Sequence, residues 1–239
     1  MYDMPHAASA YDRLWHAIRT ELGHGPDALS RDIDPWEAWQ SDDLLLAQTC
    51  GLPFRARLYG QVNLVGTPDY GLRDCPQGYY YSYIVRRRGD SRSLRDLARG
   101  GTIAFNDPLS QSGWAAPVAL LADKGLRPAA TMQTGAHLAS ANAVLDGRAD
   151  YAAIDAISYM MWDRAEPQVF AGLEAFMRTK PTPGLPLITA QSRDPKPIAQ
   201  AVTRSIHTMD AADRDILLLK GLVQIPEAIY RAIPIPPMP

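Results

Sequence analysis

The sequence predicts an α/β fold in which helices cover both faces of a sheet, and three observations carry that prediction. Apolar runs of strand length alternate along the chain with amphipathic stretches at helical spacing. Turn residues punctuate the changeovers. With 239 residues and 46% hydrophobic content, the chain is long enough for one large domain or two small ones. Nothing repeats at a fixed period.

Ser9-x-x-Asp12 resembles a capping box, and Tyr11, Leu14, Trp15, Ile18 and Leu22 follow at helical spacing, which predicts a first helix with one buried stripe. Leu44 to Ala47 and Val62 to Val65 are apolar runs between polar or Gly/Pro residues and predict buried strands, with a turn at Thr67 to Gly71. A second unit is expected to start near Tyr80. It would hold strands at Tyr81 to Val85, Thr102 to Phe105 and Tyr151 to Ile154, and helices at Leu94 to Ala98, Ser112 to Lys124 and His137 to Leu145. Pro117 predicts a break or an early-turn position in the second of these helices, and Gly147 a stop after the third. Lys180 to Pro186 is Pro/Gly-rich and reads as a crossing between units. Beyond it come a strand at Leu187 to Ala190 and helices at Ile198 to Met209, Ala211 to Leu219 and Pro226 to Ala232, the middle one capped from Asp210 and Asp213.

The charge balance of 24 basic against 26 acidic residues excludes the global basic field that drives nucleic-acid binding, and the run Arg86, Arg87, Arg88, Arg92, Arg95, Arg99 reads as a solvated face. No apolar run reaches the roughly 18 to 20 residues of a membrane span. The opening MYDMPHAASA lacks the basic and apolar regions of a secretory signal, so the chain reads either as cytoplasmic or as the mature part of an exported protein. Cys50 and Cys75 sit in no CxxC pair and beside no histidines at ligand spacing, which argues against zinc; they are two thiols or one disulfide, the latter requiring an oxidising compartment. GxxxxGK[ST] is missing, and no GxGxxG follows a strand, so no nucleotide cofactor is expected.

Asn106-Asp107-Pro108-Leu109-Ser110-Gln111-Ser112-Gly113-Trp114 runs from a strand end into a helix start, where the first amides lack helical acceptors and two serine hydroxyls would complete an oxyanion cradle, or simply cap their own helix. His137 follows Thr134-Gly135-Ala136 at another helix start and is placed to donate to an anion, as a neutral or a charged ring. Asp155 ends an apolar strand, where open α/β sheets put ligand contacts; its plainer role is a helix cap. Ser110 or Ser112 with His137 and Asp155 also has the residue types of a nucleophilic triad, but no G-x-S-x-G elbow exists, and each residue fits anion binding without a reaction.

Four runs, GYYYSYIV, NDPLSQSGWAAP, TGAHLASANAVLDGRADYAAIDA and PTPGLP, in this order and at these distances, resemble the phosphonate/phosphate-type periplasmic solute-binding proteins of ABC transporters. The resemblance implies a two-lobed periplasmic-binding-protein-like II fold with a ligand cleft between the lobes: 1–82 and 184–239 would form lobe one, and 83–183 lobe two. It implies no catalysis, hinge closure on a small phosphonate- or phosphate-like anion, a membrane permease as partner and a periplasmic location. By position it nominates Ser110, Gln111, Ser112, His137, Asp155, Tyr80 and Thr182 as ligand contacts, with Tyr2, Gln48 and Thr49 lining the opposite lobe. Gln111 stands where the family commonly carries threonine. Asp155 would accept from a proton-bearing ligand oxygen or an ammonium group, since a carboxylate only accepts. A sensor module for another small molecule and a Ser/His hydrolase are the other readings of the same residues.

Overall fold

The apolar runs form strands that the chain sorts into two α/β units in the computed structural model, which describes residues 2–239. One unit takes the chain up to Tyr79 together with Pro183–Ile233; the other takes Tyr80–Thr182 and Pro234–Pro239. The sequence reading kept all of 184–239 in the first lobe. The last six residues instead pack with the second unit, where Trp114 Nε1 donates to the Pro237 carbonyl at 2.9 Å.

The first unit is built on an antiparallel sheet in the order Ala47–Gln48, Leu187–Ala190, Val62–Asp69, Gly221–Val223. Its core gathers Phe54, Leu58, Val62, Ile188 and Tyr230. The first helix, Ala8–Leu22, buries Ala10, Trp15 and Ile18, while Tyr11, Leu14 and Leu22 are half-buried. Its cap is not the expected one: Ala7 precedes the helix, Ser9 lies inside it, and Asp12 pairs with Arg31 at 2.8 Å. The cap expected from Asp210 is also missing, because Asp210 makes no side-chain cap bond and Asp213 is held by both Nε and Nη2 of Arg13. Val62–Asp69 runs on through the predicted turn because Thr67, Pro68 and Asp69 pair with Gly221–Val223. The predicted strand at Leu44 shrinks to Ala47–Gln48. Cys50 is buried and Cys75 half-buried, and they form no disulfide.

The second unit is a five-stranded sheet in the order Ala130–Gln133, Thr102–Phe105, Tyr151–Asp155, Ser82–Arg87, Leu173–Arg178. The first three strands run parallel, and Ser82–Arg87 pairs antiparallel to both of its neighbours. Side chains alternate between two cores, as the period of two requires. Ile84, Ile103, Phe105, Tyr151 and Ala153 face Leu97, Trp114 and Leu121. Val85, Ala104, Ala152 and Ile154 face Ala141, Val144 and Phe170 on the other side. Leu94–Gly100 starts with a full capping box between Ser93 and Asp96. Part of the arginine run is consumed locally: Arg86 pairs with Glu174 at 3.3 Å, Arg88 bonds the carbonyls of Ala171 and Leu173, and Arg92 bridges Asp90 and Asp150, while Arg95 and Arg99 are exposed as expected.

Candidate functional site

The three parallel strands of the second unit all end on one side of the sheet, so the segments leaving them converge there. After Thr102–Phe105 the chain turns at Asp107, whose Oδ1 accepts from Leu109 N at 2.7 Å and whose carbonyl accepts from Ser110 N at 2.9 Å. Ser110 then caps the next helix, its hydroxyl accepting from Gly113 N at 2.9 Å. The first turn, Gln111–Ala115, is π-wound: Ala115 N reaches back five residues to Ser110 O at 3.0 Å, and Ala116 N reaches Gln111 O. Only then does the α-helix Ala116–Ala122 begin, with Pro117 in its first turn, where a missing N–H is harmless. A π-turn widens the helix start and leaves its leading amides without intrahelical acceptors.

Ser110, Gln111 and Ser112 are all buried. Ser112 Oγ lies 2.9 Å from His137 Nε2 and 3.4 Å from Ser110 Oγ, so the two hydroxyls and the imidazole form one chain. Two tie points hold this chain in place. Ser82 Oγ donates to the Ser112 carbonyl at 2.9 Å, and Gly135 N donates to the Asn106 carbonyl at 2.9 Å, which joins the serine turn to the turn leading into His137–Leu145. Gly135 takes φ +86°, the left-handed conformation that glycine adopts without strain. Thr134 Oγ1 bonds Ser140 Oγ at 2.6 Å and steadies the same turn.

Gly113 is needed for a different reason. A side-chain carbon there would run into Asn106 Oδ1, which is buried without a hydrogen-bond partner. Asn106 and Ser82 were not among the residues nominated from sequence. Asn106 was read only as a strand end, and Ser82 was a polar residue in a strand whose inward position became visible only through the register Ser82↔Asp155.

Desolvation lowers the His137 imidazole to about 4, the backbone of Ala153 opposing part of that effect, so the ring is neutral at pH 7. Asp155 is buried at the end of its strand, and its Oδ1 accepts from Ile157 N at 2.7 Å and Ser158 N at 2.9 Å, capping Ala156–Ala165. Tyr80 is buried in the short strand Tyr79–Tyr80, which pairs with Thr182–Pro183, where Thr182 is half-buried.

The remaining three residues belong to the first unit. Tyr2 is buried edge-on to Tyr70, centroids 5.3 Å apart. Gln48 Nε2 donates to the Leu185 carbonyl at 3.3 Å, and the Gln48 carbonyl accepts from Trp39 Nε1. Thr49 is fully buried; its amide bonds Pro186 O at 3.0 Å, and its Oγ1 has no hydrogen-bond partner. Among the described residues no group of three or more His, Cys, Asp or Glu could hold a metal ion. The donors gathered at the serine turn are neutral hydroxyls, amides and an imidazole, a set suited to a tetrahedral oxyanion.

Known proteins share this fold. PhnD1 of Prochlorococcus marinus in complex with methylphosphonate has a similar fold, with TM-score 0.70 and 18% identity over 95% of this chain and 91% of that one. A binding-protein component of an ABC phosphonate transporter from Pseudomonas aeruginosa gives 0.66 and 15% over 90% and 75%, and a Xanthomonas citri protein bound to ATP gives 0.68 and 17% over 94% and 91%. A search of the curated proteins finds no match. No helix among the described residues is long and apolar enough to cross a membrane. The family model described as ABC transporter, phosphonate, periplasmic substrate-binding protein matches residues 40–228, most of the sequence, and the chain belongs to that family.

Proposed function

We propose that the protein captures a small phosphonate- or phosphate-like anion in the periplasm and delivers it to a membrane permease, with no chemical step. The observation that carries this reading is the hydroxyl chain Ser110–Ser112–His137 at a π-wound helix start, tied down by Ser82 and by the Asn106 carbonyl. Convergent donors on fixed backbone suit the three oxygens of a phosphonyl group. Methylphosphonate in the Prochlorococcus structure and ATP in the Xanthomonas structure both present tetrahedral phosphorus to the same fold.

The nucleophilic reading has the contact of Ser112 with His137 in its favour, but a triad carboxylate raises the pKa of its histidine, and this ring is shifted down. The reading is tested by thermal shift with methylphosphonate, phosphate and aminoalkylphosphonates. Ligand at about one hundred times its Kd adds about 2.7 kcal/mol, a rise of roughly 5–10 °C for a chain of this size. Ser112→Ala or His137→Ala should shrink the rise and leave the unliganded midpoint nearly unchanged. A screen in which no phosphorus oxyanion shifts the midpoint refutes the reading.

A further inference from the structure

The contact between Ser112 and His137 poses a question of proton count. A serine hydroxyl has one proton, and it can point at His137 Nε2 or at a bound anion, but not at both. In a neutral ring with its proton on Nδ1, Nε2 is an acceptor and takes the Ser112 proton; Ser112 then turns lone pairs toward the ligand position and repels an oxyanion. Moving the ring proton to Nε2 would free the hydroxyl but strip Nδ1. That nitrogen is buried with no hydrogen-bond partner in the empty site, and the Ala153 backbone favours the protonated ring. The imidazolium alone keeps the proton that the Ala153 backbone favours and also releases Ser112, with a proton on each nitrogen.

We infer that the site binds its oxyanion with uptake of one proton from solvent, which lands on His137 and turns the Ser112 hydroxyl from the imidazole to the ligand. This rests on the anion-binding reading above. The elements packed on His137–Leu145 bring Asp155, Tyr151, Tyr83, Arg86, Arg87, Glu174 and Arg178, with Asp150 just before Tyr151, and Tyr83 and Arg178 both lie against Tyr81. Arg87 bonds the Val144 carbonyl at the far end of that helix, Asp155 Oδ1 caps its own helix, Arg86 pairs with Glu174, and Asp150 pairs with Arg92. None of them contributes to the lowered proton affinity of the empty site, which desolvation dominates. The bound anion is therefore the charge that the ring answers to. The site would accordingly select dianionic tetrahedral ligands, which reward the imidazolium most, over monoanions of the same shape.

The test combines titration calorimetry of methylphosphonate in buffers of different ionisation enthalpy, above the probe's second ionisation, with nitrogen NMR of the histidine rings. The His137 signal, one of five, is assigned by its loss in His137→Gln. The expected result is about one proton taken up per ligand, affinity falling about tenfold per pH unit in that range, and a His137 ring that is neutral alone and doubly protonated in the complex. His137→Gln should bind more weakly and without the pH slope. Binding with no proton uptake and a neutral ring overturns this inference and leaves the anion reading standing; no binding of methylphosphonate or phosphate overturns both.

Discussion

Gly113→Ala separates packing from backbone freedom at the heart of the serine turn. Gly113 is not in the left-handed region, so alanine is conformationally acceptable there, and the smaller entropy of the unfolded chain would by itself add about 0.4–1 kcal/mol of stability. The new methyl has nowhere to go, however. It would overlap Asn106 Oδ1 and stand 3.0 Å from Asn106 Cγ and 3.3 Å from Ser110 Oγ. Overpacking of this kind costs about 1–3 kcal/mol, and displacing Ser110 also weakens a cap worth about 1 kcal/mol. The net expectation is a loss of about 2 kcal/mol, or roughly 4–8 °C in Tm for a chain of this length. Binding should suffer as well: losing one hydrogen bond to a charged ligand costs about 1.5–3 kcal/mol, on the order of 10- to 100-fold in Kd. Thermal unfolding and calorimetry with methylphosphonate measure the two effects, and both should shrink when the methyl is introduced into an Asn106→Ala background. A Gly113→Ala protein with unchanged Tm and unchanged affinity would show that the Asn106 amide moves aside freely and that this contact holds nothing in place.

Three further expectations follow from the same region. The unliganded protein should lose stability as pH falls from the ordinary histidine value of 6.5 toward about 4, because the unfolded chain then binds a proton that His137 in the folded chain refuses; the contribution is on the order of 3 kcal/mol, and urea titrations of His137→Gln should lack it. Trp114→Phe removes the bond to the Pro237 carbonyl, worth about 1 kcal/mol, and also thins the core around it; in a chain ending at Ile233 the loss from Trp114→Phe should be smaller by about 1 kcal/mol, the coupling that a double-mutant cycle by denaturant unfolding measures. Ser82→Ala leaves the Ser112 carbonyl without its donor; it should weaken methylphosphonate binding several-fold, and equal affinity in calorimetry would show that the turn keeps its position without Ser82.

The second unit was the more legible of the two in the sequence. Thr102–Phe105 and His137–Leu145 lie where the apolar periodicity and the Gly147 stop put them, because both elements are buried on a sheet face and their residues pay attention only to local pattern and burial. Ala130–Gln133 went unread: it is an edge strand, largely exposed, with no apolar run to announce it. Leu173–Arg178 was hidden by mixed polarity, since one flank is solvated, and Ala156–Ala165 was announced only by the cap at Asp155. The caps at Ser9 and Asp210 failed because a long-range ion pair took their partners, Asp12 to Arg31 and Asp213 to Arg13, which no local pattern encodes. In the site, the serine turn and His137 were visible as motifs, whereas Asn106 and Ser82 act through contacts 7 and 30 residues away in the chain. The π-winding at Gln111–Ala115 had no sequence signature beyond the misplaced look of Pro117.

That winding bears on how this protein tolerates change in length. Surface loops accept insertions and deletions because the elements on either side keep their places. Here the helix downstream is pinned by Trp114 and Leu121 in the core, and the strand upstream is pinned in the sheet. Removing one residue between Gln111 and Ala115 would let the turn relax to α-helical pitch, and each residue ahead of the cut would then rotate by about 100° against the core. The hydroxyls of Ser110 and Ser112 would leave His137 together, with no substitution at any of the three. Length, as much as residue identity, therefore places the two hydroxyls across these five positions.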